Sequence, residues 1–161
     1  MLREYTDTAR KINAIRWQLL RDHINPKTVL DYGCGIGWFK VFAPESVEVD
    51  TYDVMGVPQT GITKDSYDVV CLWDVLEHFE SVCELEELLE MTSTIALTIP
   101  VVDKTTDLNS WKHFKPREHK FYFTRETLIL LFKNYNFELV YEGTPECPPR
   151  EDILTAIFRR K

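Results

Sequence analysis

No stretch of this 161-residue chain approaches the roughly 20 consecutive apolar residues that cross a bilayer, so no membrane span is expected. The first residues, Met1-Leu2-Arg3-Glu4-Tyr5-Thr6-Asp7, lack the apolar core of a secretory signal. Cysteine is sparse. Cys34, Cys71, Cys83 and Cys147 form no Cys-x-x-Cys pair, which argues against a zinc ribbon or a disulfide framework and for reduced thiols in a cytoplasmic protein. Positive charge is short: the net charge is −7. Phosphate neutralisation dominates non-specific nucleic-acid affinity, so nucleic acid is not an expected partner. One local exception gathers Lys112, Lys115, Arg117 and Lys120 with His113 and His119, read either as a solvated loop or as a patch facing an anionic substrate. Repeats and low-complexity tracts are absent. What remains, 44% apolar and 28% charged, is the composition of one globular domain over residues 1–161.

Apolar periodicity predicts a helix over about 6–22, with Ile12, Ile15 and Leu19 on one face. Asn25-Pro26 ends it. Strands are expected at Thr28–Asp31, Val47–Asp53, Tyr67–Trp73 and Ser93–Ile99; the third is apolar almost throughout, as a strand buried on both faces should be. A helix should open at Gly35 with its amides aimed at a ligand, and another at Ser81, where Ser81-x-x-Glu84 is a capping box. Between 54 and 66 the chain is short and punctuated by Gly56, Pro58 and Gly61. Residues 101–120 form a long polar loop, the length of a lid or binding loop. Thr124 caps a helix to about Asn134 with Leu128, Leu131 and Phe132 facing in, and strands at 137–141 and 153–158 close the chain. The alternation implies an α/β doubly wound, mainly parallel Rossmann-like sheet, trimmed after its second strand, with an antiparallel edge strand.

The most informative stretch is Asp31-Tyr32-Gly33-Cys34-Gly35-Ile36-Gly37, a strand end running into a glycine-rich turn. Glycines at alternate positions let the backbone bend sharply and a ligand approach closely. A dinucleotide fingerprint would require a third glycine where Trp38 stands, which disfavours a nicotinamide-dependent dehydrogenase. Asp53 lies about twenty residues on, where a strand-end carboxylate can accept the hydroxyls of a ribose. Asp50 is the rival for that role. Val54 and Met55 follow Asp53 and could flank a nucleobase or belong to the core.

The form acid-x-Gly-x-Gly-x-Gly resembles motif I of the class I S-adenosylmethionine (SAM)-dependent methyltransferases. The likeness extends to the Tyr67-Asp68-Val69-Val70 strand, the Asp74-Val75-Leu76-Glu77-His78 turn, the stretch from His119 to Leu128, and Asn136-Phe137-Glu138. It covers about residues 28–141 and points to the branch acting on small molecules and saccharides. The resemblance implies SAM as cofactor, held by Asp31, Gly33, Cys34, Gly35, Gly37, Asp53, Val54, Trp73 and Asp74. It also implies methyl transfer to a hydroxyl of a small or saccharide-like acceptor. Positioning supplies most of such a displacement, and an oxygen acceptor must also lose a proton. His78 is the first candidate base, with His113 and His119 behind it. Trp17, Trp111, Phe114, Phe121 and Tyr122 could line the acceptor pocket or simply pack.

Asp74, Glu77 and His78 fall at i, i+3 and i+4 and would share a face of a helical turn. With His119 they resemble the magnesium or manganese site of small-RNA 3′-terminal 2′-O-methyltransferases and of some ubiquinone-pathway O-methyltransferases, except that Asp74 stands where those have glutamate. The metal reading is therefore Asp74, Glu77, His78 and His119; the other is that Glu77 and His78 only shape the acceptor pocket. Two alternatives accompany the leading function: a nucleic-acid or nucleotide methyltransferase, and a non-catalytic module that keeps the fold. A homo-oligomer is possible, since the acceptor pocket would be open unless the 101–120 loop or a second subunit covers it.

Overall fold

A computed structural model describes residues 2–55, 59–103, 105–148, 150 and 152–161. Helix α1 (Leu2–His23) precedes β1 (Thr28–Tyr32), α2 (Trp38–Val41) and β2 (Glu48–Tyr52). Then come β3 (Val69–Trp73), a 3₁₀ turn (Leu76–His78), α3 (Val82–Glu90), β4 (Thr94–Pro100), α4 (Arg125–Asn134), β5 (Phe137–Gly143) and β6 (Ile153–Arg160). The six strands form one sheet in the order β2-β1-β3-β4-β6-β5. β1 to β4 run parallel; β6 enters antiparallel to β4, and β5 closes the edge antiparallel to β6. The chain leaves β1 first to one side and later to the other, so the crevice at the carboxyl ends of β1 and β3 is the switch point where such sheets take ligands.

Side chains alternate across the strands, and each face buries its own cluster. Leu30, Val70, Leu72, Leu97 and Ile99 pack with Leu85, Leu88, Leu128 and Phe132 of α3 and α4. Val29, Val69, Cys71 and Trp73 pack on the opposite face with Trp17, Leu20 and Phe39 of α1 and α2. β3 and β4 are buried along their whole length, as the apolar run at 67–73 requires. Both predicted N-caps form: Ser81 with Glu84, and Thr124 with Thr127. An Asn, Asp, Ser or Thr cap contributes about 1 kcal/mol.

Two expectations are corrected. The buried face of α1 is one residue on from the predicted stripe: Asn13, Arg16, Trp17 and Leu20 are buried, whereas Ile12, Ile15 and Leu19 are only half-buried. The cause is Trp17, whose indole stacks on Phe39 at 4.3 Å and donates to the Phe39 carbonyl at 2.9 Å. Trp17 is thus core and not a wall of an acceptor pocket. Second, the helix expected from Gly35 starts only at Trp38, because Gly33, Gly35 and Gly37 all hold left-handed φ values (75°, 52° and 80°) that a right-handed helix cannot continue. Pro100 is the last residue of β4, paired with Ile153.

Among the described residues no helix or strand occupies 53–66; Gly56 and Pro58 lie outside them. This segment instead closes the β2 edge. Thr60 accepts from the Thr51 amide at 2.8 Å and the Gly61 amide donates to the Thr51 carbonyl at 3.0 Å. The trimmed sheet is thereby shielded from edge pairing.

Candidate active site

The glycine turn is stitched to the end of β2. The Gly33 and Cys34 amides both donate to the Tyr52 carbonyl, at 2.7 and 3.1 Å. The Gly35 amide donates to Asp53 Oδ2 at 2.8 Å. These amides therefore face β2 and not a ligand, contrary to the helix-opening reading. Gly33 is dictated by packing: a Cβ there would meet Val75 at 2.4 Å. At Gly35 it is the left-handed backbone (φ 52°) that favours glycine, since a Cβ would meet nothing within 4 Å and would stand in the open crevice.

A cleft of about 350 Å³ opens beside this turn, within the size range of small-ligand sites. Asp31, Gly33, Cys34, Gly35, Trp73 and Asp74, six of the nine residues expected to hold SAM, line it. Asn13, Arg16, Trp38 and Arg150 line it as well, and sequence reasoning did not nominate them. Gly37, Asp53 and Val54 are outside the lining. Asp53 touches the site through Gly35, and its other oxygen accepts from the Met55 amide at 2.8 Å. Val54 and Met55 stand exposed beside it. Asp50 is turned elsewhere: one oxygen takes both the Tyr67 hydroxyl at 2.6 Å and the Thr63 hydroxyl. Its burial raises its pKa, but those hydrogen bonds outweigh burial and hold it below the ordinary carboxylate value.

Four buried polar atoms on the cleft wall have no hydrogen-bond partner among the described residues: Asn13 Oδ1, Asp31 Oδ2, Trp38 Nε1 and Trp73 Nε1. Buried polar groups are nearly always paired, so two acceptors and two donors left without partners on residues around one cleft mark it as the place for a polar molecule to be sought. Asp31 is the sharpest of them. It is 1% exposed. Burial pushes its carboxyl up to about 7, against the pull of the Arg16 guanidinium, with Asp53 adding to the rise.

Asp74 has a left-handed backbone (φ 62°), uncommon for a residue with a side chain. Its carboxylate accepts from Arg150 at 2.6 Å and faces Arg16 at 3.6 Å. The pair extends to Glu146, which is buried and accepts from Arg16 Nε at 2.7 Å and from Arg150 at 2.6 Å. The Arg16 guanidinium also lies over the Trp73 ring at 4.7 Å.

Beyond Asp74, the 3₁₀ turn brings Glu77 and His78 to His119, with donor atoms of all three within 4.8 Å of one another. Asp74 is not in this group, because the arginines hold its carboxylate. The helical-turn alignment expected for Asp74, Glu77 and His78 is broken by the left-handed step at 74. His78 Nδ1 donates to the Glu118 carbonyl at 3.0 Å, which leaves the Nε2 lone pair available. His119 Nδ1 and Glu77 Oε2 are buried without partners. Burial pushes Glu77 up to about 8 and Asp74 adds to the rise, while a backbone hydrogen bond and Arg150 lower it. Burial, together with His78 and Lys115, holds His119 below the ordinary imidazole value. The Lys120 amide bonds the Glu77 carbonyl at 2.7 Å, so the end of the 101–120 loop is pinned to this turn.

Nearby rings continue the wall. Tyr122 lies 6.1 Å from His119, 5.4 Å from Phe114 and 6.3 Å from Trp111. His113 packs against Trp111 at 5.3 Å. Phe121 packs on the core. Of the clustered Lys112, Lys115, Arg117 and Lys120, three face carboxylates: Lys112 with Asp152, Lys115 with Glu118 and Lys120 with Glu80. These three lysines are thus each paired with a carboxylate on the surface.

Residues 3–142 match the model of a family described as "Methyltransferase domain". No curated protein matches the chain by sequence at a significant level. Several solved structures share the fold at low identity. The methyltransferase domain of bacterial CtHen1-C is 15% identical, with a TM-score of 0.63 over 95% of this chain and 98% of that one. Magnesium protoporphyrin IX methyltransferase from Synechocystis PCC 6803, with S-adenosylhomocysteine (SAH) bound, is 14% identical, with a TM-score of 0.62 over 98% and 84%. The Burkholderia thailandensis 1,6-didemethyltoxoflavin-N1-methyltransferase, with its substrate and SAH, is 14% identical, with a TM-score of 0.65 over 99% and 90%. At these identities the likeness is one of fold. No helix among the described residues is long and apolar enough to cross a membrane.

Proposed function

The chain belongs to the methyltransferase-domain family, and from that premise we propose that it binds SAM in the cleft beside Gly33–Gly37 and transfers a methyl group to a hydroxyl of a small or saccharide-like acceptor. The observation that carries the reading is the set of unpartnered buried polar atoms on residues that line the cleft, Asn13 Oδ1, Asp31 Oδ2, Trp38 Nε1 and Trp73 Nε1. That set suits an amino acid joined to a nucleoside. Asp31 would take the ammonium, Arg16 and Arg150 the carboxylate, and Asp53 the ribose hydroxyls across the Gly35 turn. When bound, SAM supplies the methyl group from its sulfonium. The chain's part is to hold both reactants in line, since positioning provides most of the rate in such a displacement.

Glu77, His78 and His119 are the residues for the acceptor side. Two imidazole nitrogens and one carboxylate are a reasonable donor set for a divalent ion such as manganese or magnesium. The unpartnered Glu77 and His119 atoms fit that use. Such an ion would supply Lewis acidity. The same nitrogen lone pairs can instead accept the proton of an acceptor hydroxyl, so His78 and His119 serve either as ligands or as bases. Calorimetric titration with SAH, with and without manganese, tests both parts. Micromolar binding is the expected result, and tightening with manganese would assign the three side chains to the ion. Absence of SAH binding under both conditions would overturn the cofactor reading and leave a non-catalytic domain.

A further inference from the structure

Arg16 and Arg150 come from opposite ends of the chain, yet their guanidiniums form one closed arrangement with Glu146 and Asp74. Glu146 accepts from Arg16 Nε and Nη2 at 2.7 and 3.3 Å and from Arg150 Nη1 at 2.6 Å. Asp74 takes Arg150 Nη2 at 2.6 Å and lies 3.6 Å from Arg16 Nη2. Thr98 Oγ1 accepts from Arg16 Nη2 at 3.5 Å. Arg16 Nη1 and Arg150 Nε have no protein acceptor among the described residues, and both side chains line the cleft.

Glu146 itself does not line the cleft. It sits in the β5–β6 connection, 1% exposed, on no element of the sheet. A buried charged group is a poor stabilising device, because desolvation consumes most of its attraction and an apolar replacement is often as stable. Its geometry has another consequence. A guanidinium that is pinned on one edge presents its other edge in a fixed plane, the condition for planar recognition of a carboxylate.

We propose that Glu146 is the positioning residue of the cofactor's amino-acid end: it clamps Arg16 and Arg150 from behind so that their remaining N–H groups meet the carboxylate of the aminocarboxypropyl arm. The inference rests on the SAM reading above. It assigns Glu146 no contact with ligand and a selective effect on one part of the ligand only.

The test compares two probes, SAH and 5′-methylthioadenosine, which has the same nucleoside and thioether but lacks the amino-acid arm. Both are titrated calorimetrically into wild type and Glu146→Gln, with thermal unfolding as the fold control. Glu146→Gln is expected to weaken SAH by roughly tenfold to a hundredfold, the range of one charge-assisted hydrogen bond. Affinity for 5′-methylthioadenosine should stay within about twofold. Equal losses for both probes would make Glu146 merely structural and overturn the proposal, and so would no loss for either. Wild type that binds neither probe would overturn the SAM reading itself and the inference with it. If Glu146→Gln does not fold, Arg16→Lys provides the same comparison, because lysine keeps the charge and lacks the fork that Glu146 fixes. SAH should then weaken and 5′-methylthioadenosine hold, and a uniform loss would again refute it.

Discussion

Replacing Asp31 with asparagine should stabilise the protein and disable its cleft, and the gain should depend on pH in a way that identifies the cause. Asp31 is 1% exposed, and burial lifts its carboxyl from 3.8 to about 7. Its folded pKa is raised, so the associated stability is fully present below the unfolded value near 4 and is lost as pH rises through about 7. Three units at about 1.4 kcal/mol each give a loss of about 4 kcal/mol between those limits. The asparagine of the Asp31→Asn variant carries no proton to lose. The two proteins should therefore unfold at similar temperatures near pH 4 and diverge toward pH 8, where the variant should melt roughly 8–16 °C higher, at 2–4 °C per kcal/mol for a domain of this size. The assay is thermal unfolding by circular dichroism across pH 4–8. SAH titration of the same samples should show affinity down by at least about tenfold, since the ammonium loses its charged acceptor. Melting curves that stay parallel across this range would refute the assignment of a buried, desolvated carboxyl to Asp31. An undiminished SAH affinity would refute its role in the cleft.

Gly35→Val should bind no SAH by calorimetry, because its side chain would occupy the open space and strain a backbone held at φ 52°. Asp53→Ala should weaken SAH by about tenfold or more through the lost charged hydrogen bonds; if affinity is retained, Asp53 is only the anchor of Gly35. His119→Ala should abolish any tightening of SAH or acceptor binding by manganese while leaving metal-free SAH affinity within about twofold, as read by titration in chelator and in metal. Ser81→Ala should lower stability by about 1 kcal/mol in denaturant unfolding, the usual effect of deleting an N-cap, with no change in SAH affinity.

The sheet was largely legible because its strands state their burial in their composition. Val69–Trp73 reads as apolar on both faces and is buried on both. Ser81 and Thr124 mark helix starts by chemistry that acts within four residues. Where the reading slipped, a distant partner decided. The α1 stripe of Ile12, Ile15 and Leu19 has the right period but the wrong phase, because Trp17 finds Phe39 and Arg16 finds Glu146, 130 residues away. The helix at Gly35 was anticipated from the glycine motif alone, and three left-handed glycines displace it to Trp38.

The same distinction separates the two halves of the site. Asp31, Gly33, Gly35 and Asp74 are written in local motifs because each acts through its own backbone position: a strand end, a close approach, an open crevice, a left-handed step. Glu77, His78 and His119 were legible as residue types, and the structure brings those three together. What no local pattern announces is which carboxylate an arginine will choose. Asp74 carries the position of a metal ligand in the resemblance, yet Arg150 takes it at 2.6 Å, and Glu146, flanked by Pro145 and Cys147 in an ordinary-looking loop, closes the arrangement from behind. On the function proposed above, one carboxylate is thus shifted from the acceptor side to the cofactor side, which would leave a three-donor group for the acceptor and give the cleft a fixed pair of guanidiniums. That exchange is a property of the β5–β6 connection, so substitutions there should alter cofactor affinity before they alter the chemistry proposed for His78 and His119.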